Sequence, residues 1–202
     1  MGFYRRFIVP PLVELAMRQR TLHPVRERVV GAAAGRVLEI GAGSGMNLAL
    51  YGPLTRYLVA LEPSPQLLCR ARRRAATAAA PVELVEGSAE ALPLADASVD
   101  TVVTTWTLCT IPDVSAALAE MRRVLRPGGA LLFVEHGRAP EANVARWQDR
   151  LDPLWSRLAG GCHLNRPIDQ LLCAAGFRID RLRNFRLSGP ATHNFMYEGR
   201  AD

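Results

Sequence analysis

The short run Val37-Leu38-Glu39-Ile40 passes directly into Gly41-Ala42-Gly43-Ser44-Gly45. A near-continuous apolar run of this length suits a strand buried on both faces. Alternate glycines permit positive φ and let the backbone come close to a ligand. A strand that empties into such a turn commits the chain to an α/β architecture with a binding loop at one sheet edge. The downstream order agrees. Strands are expected at Arg36 to Ile40, Tyr57 to Leu61, Val82 to Val85, Val99 to Thr104 and Ala130 to Glu135. Between them fall a short helix after the glycine turn, an Ala/Arg-rich helix from Gln66 to Ala79, and a helix opened by Asp113 as N-cap and stopped by Pro127-Gly128-Gly129. Helices near Val144 to Leu158 and Ile168 to Ala175 and strands around Phe177 to Phe185 and Asn194 to Gly199 complete the chain. Buried strands alternating with helices imply a mostly parallel sheet of seven strands covered on both faces. Ligands then bind at the carboxyl ends of the strands, near the reversal in strand order.

Composition narrows the class. The 202 residues, 49% of them hydrophobic, suit one folded domain and exclude disorder. No apolar run approaches the roughly 18 residues of a membrane span. The N-terminal MGFYRRFIVPPLVELAMRQR carries Pro10, Pro11 and Glu14 and no small-residue cleavage site, so it reads as an amphipathic capping helix rather than a signal peptide; contact with a membrane surface stays open. Cys69, Cys109, Cys162 and Cys173 show no CxxC spacing, which argues against zinc and against a disulfide framework; no metal is expected, and a reducing cytoplasm is the default. All basic residues are arginine, and the net charge is +6. The run Arg70, Arg72, Arg73, Arg74 reads as a solvated helix face rather than a nucleic-acid groove.

The loop spacing separates cofactor classes. A dinucleotide fingerprint wants G-x-G-x-x-G, but Met46 stands where the last glycine belongs. The loop reads E-x-G-x-G-x-G, and Glu39 would repel a pyrophosphate while suiting a ligand with an amino group and a sulfonium charge. This speaks against a nicotinamide-dependent oxidoreductase. Glu62 ends the second strand, where a carboxylate can accept both hydroxyls of a ribose. Gly87-Ser88-Ala89-Glu90 forms a polar loop after the third strand, suited to an adenine edge. Thr104 to Cys109 ends the fourth strand, beside the first, and can flank a reacting centre.

Glu39 to Gly45, Glu62, Gly87 to Glu90, Ser98 to Val103 and Arg123 to Gly129 together resemble the successive motifs of class I SAM-dependent methyltransferases over roughly residues 36 to 136. The resemblance implies a Rossmann-like fold and S-adenosyl-L-methionine (SAM) as cofactor, leaving as S-adenosyl-L-homocysteine. It places Gly41, Gly43 and Gly45 along the methionine part, Glu62 on the ribose, Ser88 and Ala89 at adenine and Thr105 near the methionyl moiety. It extends the cofactor contacts to Glu39, Ala42, Ser44, Asn47, Pro63, Ser64, Gly87, Glu90 and Trp106. It divides the chain into an N-terminal cap (1–35), a cofactor-binding core (36–136) and an acceptor side (137–202).

Glu135-His136, Leu151 to Trp155 and Gly161 to Arg166 resemble a subgroup that includes mammalian methyltransferase-like thiol S-methyltransferases. Mammalian members carry a hydrophobic N-terminal anchor that this sequence does not show. The expected acceptor is a small molecule, a thiol or else a quinone or lipid. A non-catalytic SAM-sensing protein on the same fold is the alternative. A nucleic-acid methyltransferase is disfavoured, because Thr105-Trp-Thr-Leu stands where an Asn/Asp-Pro-Pro-Tyr-type motif would fall. His136, after the fifth strand, is the candidate base. Trp106, Cys109, His163 and Arg166 are the other candidates for the acceptor pocket. The oligomeric state stays open.

Overall fold

A computed structural model describes residues 9–202. Seven strands form one sheet in the order β3-β2-β1-β4-β5-β7-β6. They are β1 (Gly35–Ile40), β2 (Thr55–Glu62), β3 (Val82–Glu86), β4 (Val99–Thr105), β5 (Leu125–His136), β6 (Ile179–Arg186) and β7 (Phe195–Ala201). The first five run parallel; β7 is antiparallel to both β5 and β6. The chain goes outward from β1 through β2 to β3, then crosses back to β4 on the other side of β1. The reversal falls between the carboxyl ends of β1 and β4, where both neighbouring connections leave in opposite directions and a crevice opens.

Alternation along the strands builds two cores, one on each face. Leu38, Ile40, Leu131 and Phe133 point to the face covered by α4 (Val114–Val124) and α6 (Ile168–Ala174). Val37, Leu132 and Val134 point to the other face, covered by α2 (His23–Val30) and α3 (Pro65–Ala75). Asp113 caps α4 by accepting from the Ala116 amide at 3.0 Å, and Ser64 caps α3 by accepting from Leu67. α5 (Ala142–Leu158) carries Pro153 in its interior.

Three local expectations need correction. No α-helix follows the glycine turn; only a 3₁₀ turn forms, at Leu48–Leu50. Six residues separate Gly45 from Gly52-Pro53, fewer than two helical turns, so the expected helix N-terminus is absent. α4 ends at Val124, before Pro127-Gly128-Gly129, because Leu125 already pairs with Val99 and opens β5. The Ala/Arg-rich helix stops at Ala75, short of Ala79.

The N-terminal cap also differs. α1 (Val9–Met17) tolerates Pro10 and Pro11 because both lie in its first turn, where amide hydrogens are not needed. Its buried residues are Pro10 and Glu14, while Leu12 and Leu15 are exposed. The charge faces inward because Arg70 and Arg74, one turn apart on α3, meet Glu14 there, with Arg18 completing the cluster. The arginine run is therefore divided: Arg72 and Arg73 are solvated as expected, and Arg70 and Arg74 hold the cap. Residues 1–8 of the expected cap lie outside the described residues. Among the described residues no helix is long and apolar enough to cross a membrane.

Candidate functional site

The cleft lies at the strand-order reversal. Gly41 to Ser44, Met46 and Asn47 from the glycine turn form its floor, and Thr105, Trp106 and Thr107 after β4 form one side. Val13, Glu14 and Met17 of α1 close it over the top, and Arg26 of α2 and Leu67 of α3 complete the wall. The turn has the required backbone: Gly41 and Gly43 have φ of 68° and 58°. A Cβ on Gly41 would stand 2.5 Å from Thr107 Cγ2, so the β1 and β4 turns touch there. A Cβ on Gly43 would meet no atom nearer than 4.0 Å. The open space beside Gly43 is room for a ligand against bare backbone.

Behind this floor a buried polar chain fixes the turn. Asn47 Nδ2 donates to Glu39 Oε1 at 2.7 Å and to Thr105 Oγ1 at 3.0 Å. Glu39 is 1% exposed and does not line the cleft; it acts through Asn47. Burial pushes its carboxyl up to about 7, against the pull of Asn47, Tyr51 and Arg26. Asn47 Oδ1 is buried with no protein partner among the described residues. A buried acceptor left open at a cleft wall calls for a donor from a ligand, such as an ammonium group.

Glu62 closes the next strand and reaches back to the turn. Its Oε2 accepts from the Gly43 amide at 2.8 Å and its Oε1 from the Ser64 amide at 2.9 Å. Each carboxylate oxygen keeps a second lone pair for a further donor. Burial raises its pKa, and the two amides oppose that rise. Ser64 serves as the cap of α3, and Pro63 is exposed beside it. Gly45 packs against α3, where an added Cβ would stand 3.1 Å from Ala71.

The loop after β3 continues the row without lining the cleft. Glu62 pairs in register with Glu86, so Gly87 to Glu90 follow on the same edge. Ala89 is buried in the core. Ser88 Oγ donates to Glu90 Oε2, and Glu90 Oε1 accepts from the Asp113 amide at 2.7 Å, tying the loop to α4.

On the β4 side, Trp106 adopts φ of 51°, a rare conformation for a bulky residue and one that concentrates at functional sites. Glu135, fully buried in β5, enforces it by accepting from Thr104 Oγ1 and from the Thr107 amide. The Trp106 ring lies under the Arg26 guanidinium, 5.1 Å from its centroid. Arg26 is 6% exposed, and burial lowers its pKa while Glu39 opposes the fall. It donates to the Met17 carbonyl at 2.8 Å, joining α2 to the end of α1. Arg26 was not among the expected site residues. It sits in the N-terminal cap, and no local pattern marks an arginine that reaches both the glycine turn 15 residues on and Trp106 80 residues on.

Two of the expected acceptor residues, Cys109 and His136, gather with Cys162, and none of the three lines the described cleft. Cys109, His136 and Cys162 bring their sulfur and ring-nitrogen atoms within 4.8 Å of one another. His136 Nε2 lies 3.0 Å from Cys162 Sγ, and its Nδ1 is buried without a partner among the described residues. The His163 amide donates to the Cys109 carbonyl, and its ring pairs with Asp152 at 2.8 Å. Arg166 donates to the Leu108 carbonyl. His163 and Arg166 fasten this loop to the β4 turn, and neither lines the described cleft.

Comparisons with known proteins give the family. Residues 38–133 match the family model described as a methyltransferase domain. Human thiol S-methyltransferase TMT1A is 32% identical over 190 residues, covering 91% of this chain and 77% of that protein. Human thiol S-methyltransferase TMT1B is 36% identical over 140 residues, covering 66% of this chain and 57% of its own length, so that alignment spans little more than half of that relative. The crystal structure of a SAM-dependent methyltransferase from Thermotoga maritima superposes with a TM-score of 0.70 at 24% identity, over 98% of this chain and 96% of that one. The chain belongs to the SAM-dependent methyltransferase family.

Proposed function

We propose that this protein transfers a methyl group from SAM to a small thiol. The observation that carries the cofactor half is the fit at the glycine turn: ligand space at Gly43 beside an unanswered buried acceptor, Asn47 Oδ1. In this reading Asn47 accepts from the cofactor's ammonium group, and Arg26 pairs with its carboxylate. The spare lone pairs of Glu62 take the ribose hydroxyls, and Ser88 and Ala89 border the adenine farther along the edge. When bound, SAM supplies a methyl group activated by a sulfonium leaving group. The chain's own residues position and enclose. Trp106 and Thr105 hold the β4 side, and α1 excludes water from above. Residues 36–136, with Arg26 from the cap, hold the cofactor, and the segments after His136 face the acceptor.

The thiol reading is supported by the names of the thiol S-methyltransferase relatives and by a thiol's small need for a base. His136, the expected base, has its Nε2 against Cys162. A thiol with a reference pKa of about 8.5 is partly ionised near neutrality and needs little help. A reducing, cytoplasmic setting belongs to the same reading, in keeping with four free cysteines.

Incubation with SAM and a panel of alkyl and aryl thiols, carboxylates and quinones, with products read by mass spectrometry, tests the reading. Thioether formation is expected. S-adenosylhomocysteine binding without methylation of any thiol would dismiss the thiol and leave the cofactor site standing. Arg26→Ala should raise KM for SAM at least tenfold with KM for the thiol nearly unchanged, since a charge-assisted hydrogen bond contributes about 1.5–3 kcal/mol.

A further inference from the structure

Cys109, His136 and Cys162 are 27 and 26 residues apart and come from three elements: the turn after β4, the last residue of β5 and the loop after α5. Sequence spacing gave no reason to group them. The fold makes them a compact set of two sulfurs and one imidazole nitrogen within 4.8 Å. Tetrahedral coordination with metal–sulfur bonds of about 2.3 Å and metal–nitrogen bonds of about 2.0 Å spaces such atoms about 3.5–3.8 Å apart. The His136–Cys162 pair, at 3.0 Å, needs to open by about half an ångström.

The support is rigid on all three sides. His136 pairs with Met196 across β5 and β7. Cys109 is 2% exposed, and its carbonyl is held by the His163 amide at 2.8 Å. The Cys162 amide donates to Ala159 and the preceding Gly161 amide to Ser156, closing the end of α5 under the thiol. Arg166, anchored on Leu108, and the buried Glu135 next to His136 flank the set. The formal charges of a divalent cation, two thiolates, Arg166 and Glu135 cancel.

We propose that Cys109, His136 and Cys162 form a binding site for a thiophilic divalent cation of the zinc type. Two thiolates and one imidazole select zinc or its cobalt substitute over the hard, oxygen-seeking magnesium and calcium. Three protein ligands leave a fourth position for water or another donor, the composition of a reactive rather than a structural zinc centre. Each thiol loses its proton to solvent as the metal binds. The site is independent of the methyl-transfer reading and can be tested without turnover.

The experiment starts from full-length protein, reduced and stripped of metal, titrated with Co²⁺ and then with Zn²⁺ against a chromophoric chelator. One equivalent per chain is expected, with a thiolate-to-cobalt charge-transfer band and the strong visible bands of tetrahedral cobalt. Cys109→Ser, Cys162→Ser and His136→Gln should each weaken binding by more than about 100-fold, more than the loss of an outer-shell contact. Cys69→Ser and Cys173→Ser should leave it intact. Should the ligand variants not fold, iodoacetamide labelling of the wild-type protein replaces them: zinc should slow labelling of the half-buried Cys162 relative to the metal-free protein and leave the exposed Cys69 and Cys173 reactive, while Cys109 is shielded by burial in either state. No charge-transfer band in folded, reduced wild-type protein overturns the proposal. So does a band that survives in both Cys109→Ser and Cys162→Ser, or zinc that leaves the labelling rate of Cys162 unchanged.

Discussion

Glu62 has two tasks at once: it orders the glycine turn through the Gly43 amide and presents its remaining lone pairs outward. Glu62→Gln keeps the shape but replaces one acceptor with a donor. Affinity for S-adenosylhomocysteine should fall about 10- to 100-fold by calorimetry, the worth of one or two charge-assisted bonds. Unchanged affinity would remove the ribose assignment. The position of this carboxylate was legible in the sequence, because an acid ending the strand beside a glycine turn stands within reach of that turn, as its bond to the Gly43 amide shows. Glu39 was legible as a residue and not as a position: its place before Gly41 suggested contact with ligand, whereas the fold buries it behind Asn47. Side chains in a strand alternate faces, and a one-dimensional motif does not say which face meets the cleft.

α1 and α3 form the element whose behaviour depends on a titrating group. Arg18, Arg70 and Arg74 hold the Glu14 carboxyl down to about 2 from the ordinary 4.5, outweighing the burial that would raise it. A carboxyl with a lowered folded pKa stabilises fully above its unfolded pKa and loses that contribution as pH falls through the folded value. The clasp should therefore be complete above about pH 4.5 and released by about pH 2. Thermal denaturation of the wild type and of Glu14→Gln should differ at pH 6 and converge across that window; a gap independent of pH would exclude Glu14 as the fastening. Strands and long helices were readable from period and caps, as Asp113 illustrates. The clasp was not, because Arg70 and Arg74 share a helix face with solvent until Glu14 arrives from 56 residues earlier. The helix expected after Gly45 failed for a reason also present in the sequence: Gly52-Pro53 follows too soon.

At the scale of the molecule, the two cores share the central strands, and Phe133 is the largest fully buried side chain among them. Phe133→Ala should cost about 3–5 kcal/mol, the usual price of emptying an aromatic site, and lower the denaturation midpoint by roughly 6–20 °C for a chain of this size. A loss below about 1 kcal/mol in denaturant titration would mean the sheet closes over the gap. The mostly parallel sheet of seven strands was readable because buried strands alternate with helices. The gathering of Cys109, His136 and Cys162 was not, since only the return of the chain after α5 sets Cys162 beside β5.

The inverted polarity of α1 bears on how a cofactor enters. A cover fastened by ions and turned with its leucines outward has a small greasy underside, made of Pro10, Val13 and Met17. Departure exposes these beside Glu14 and its arginines, which water welcomes, so the hydrophobic penalty that seals most lids is small here. Entry and exit should then quicken with ionic strength, as the added salt competes for Glu14 and its arginines.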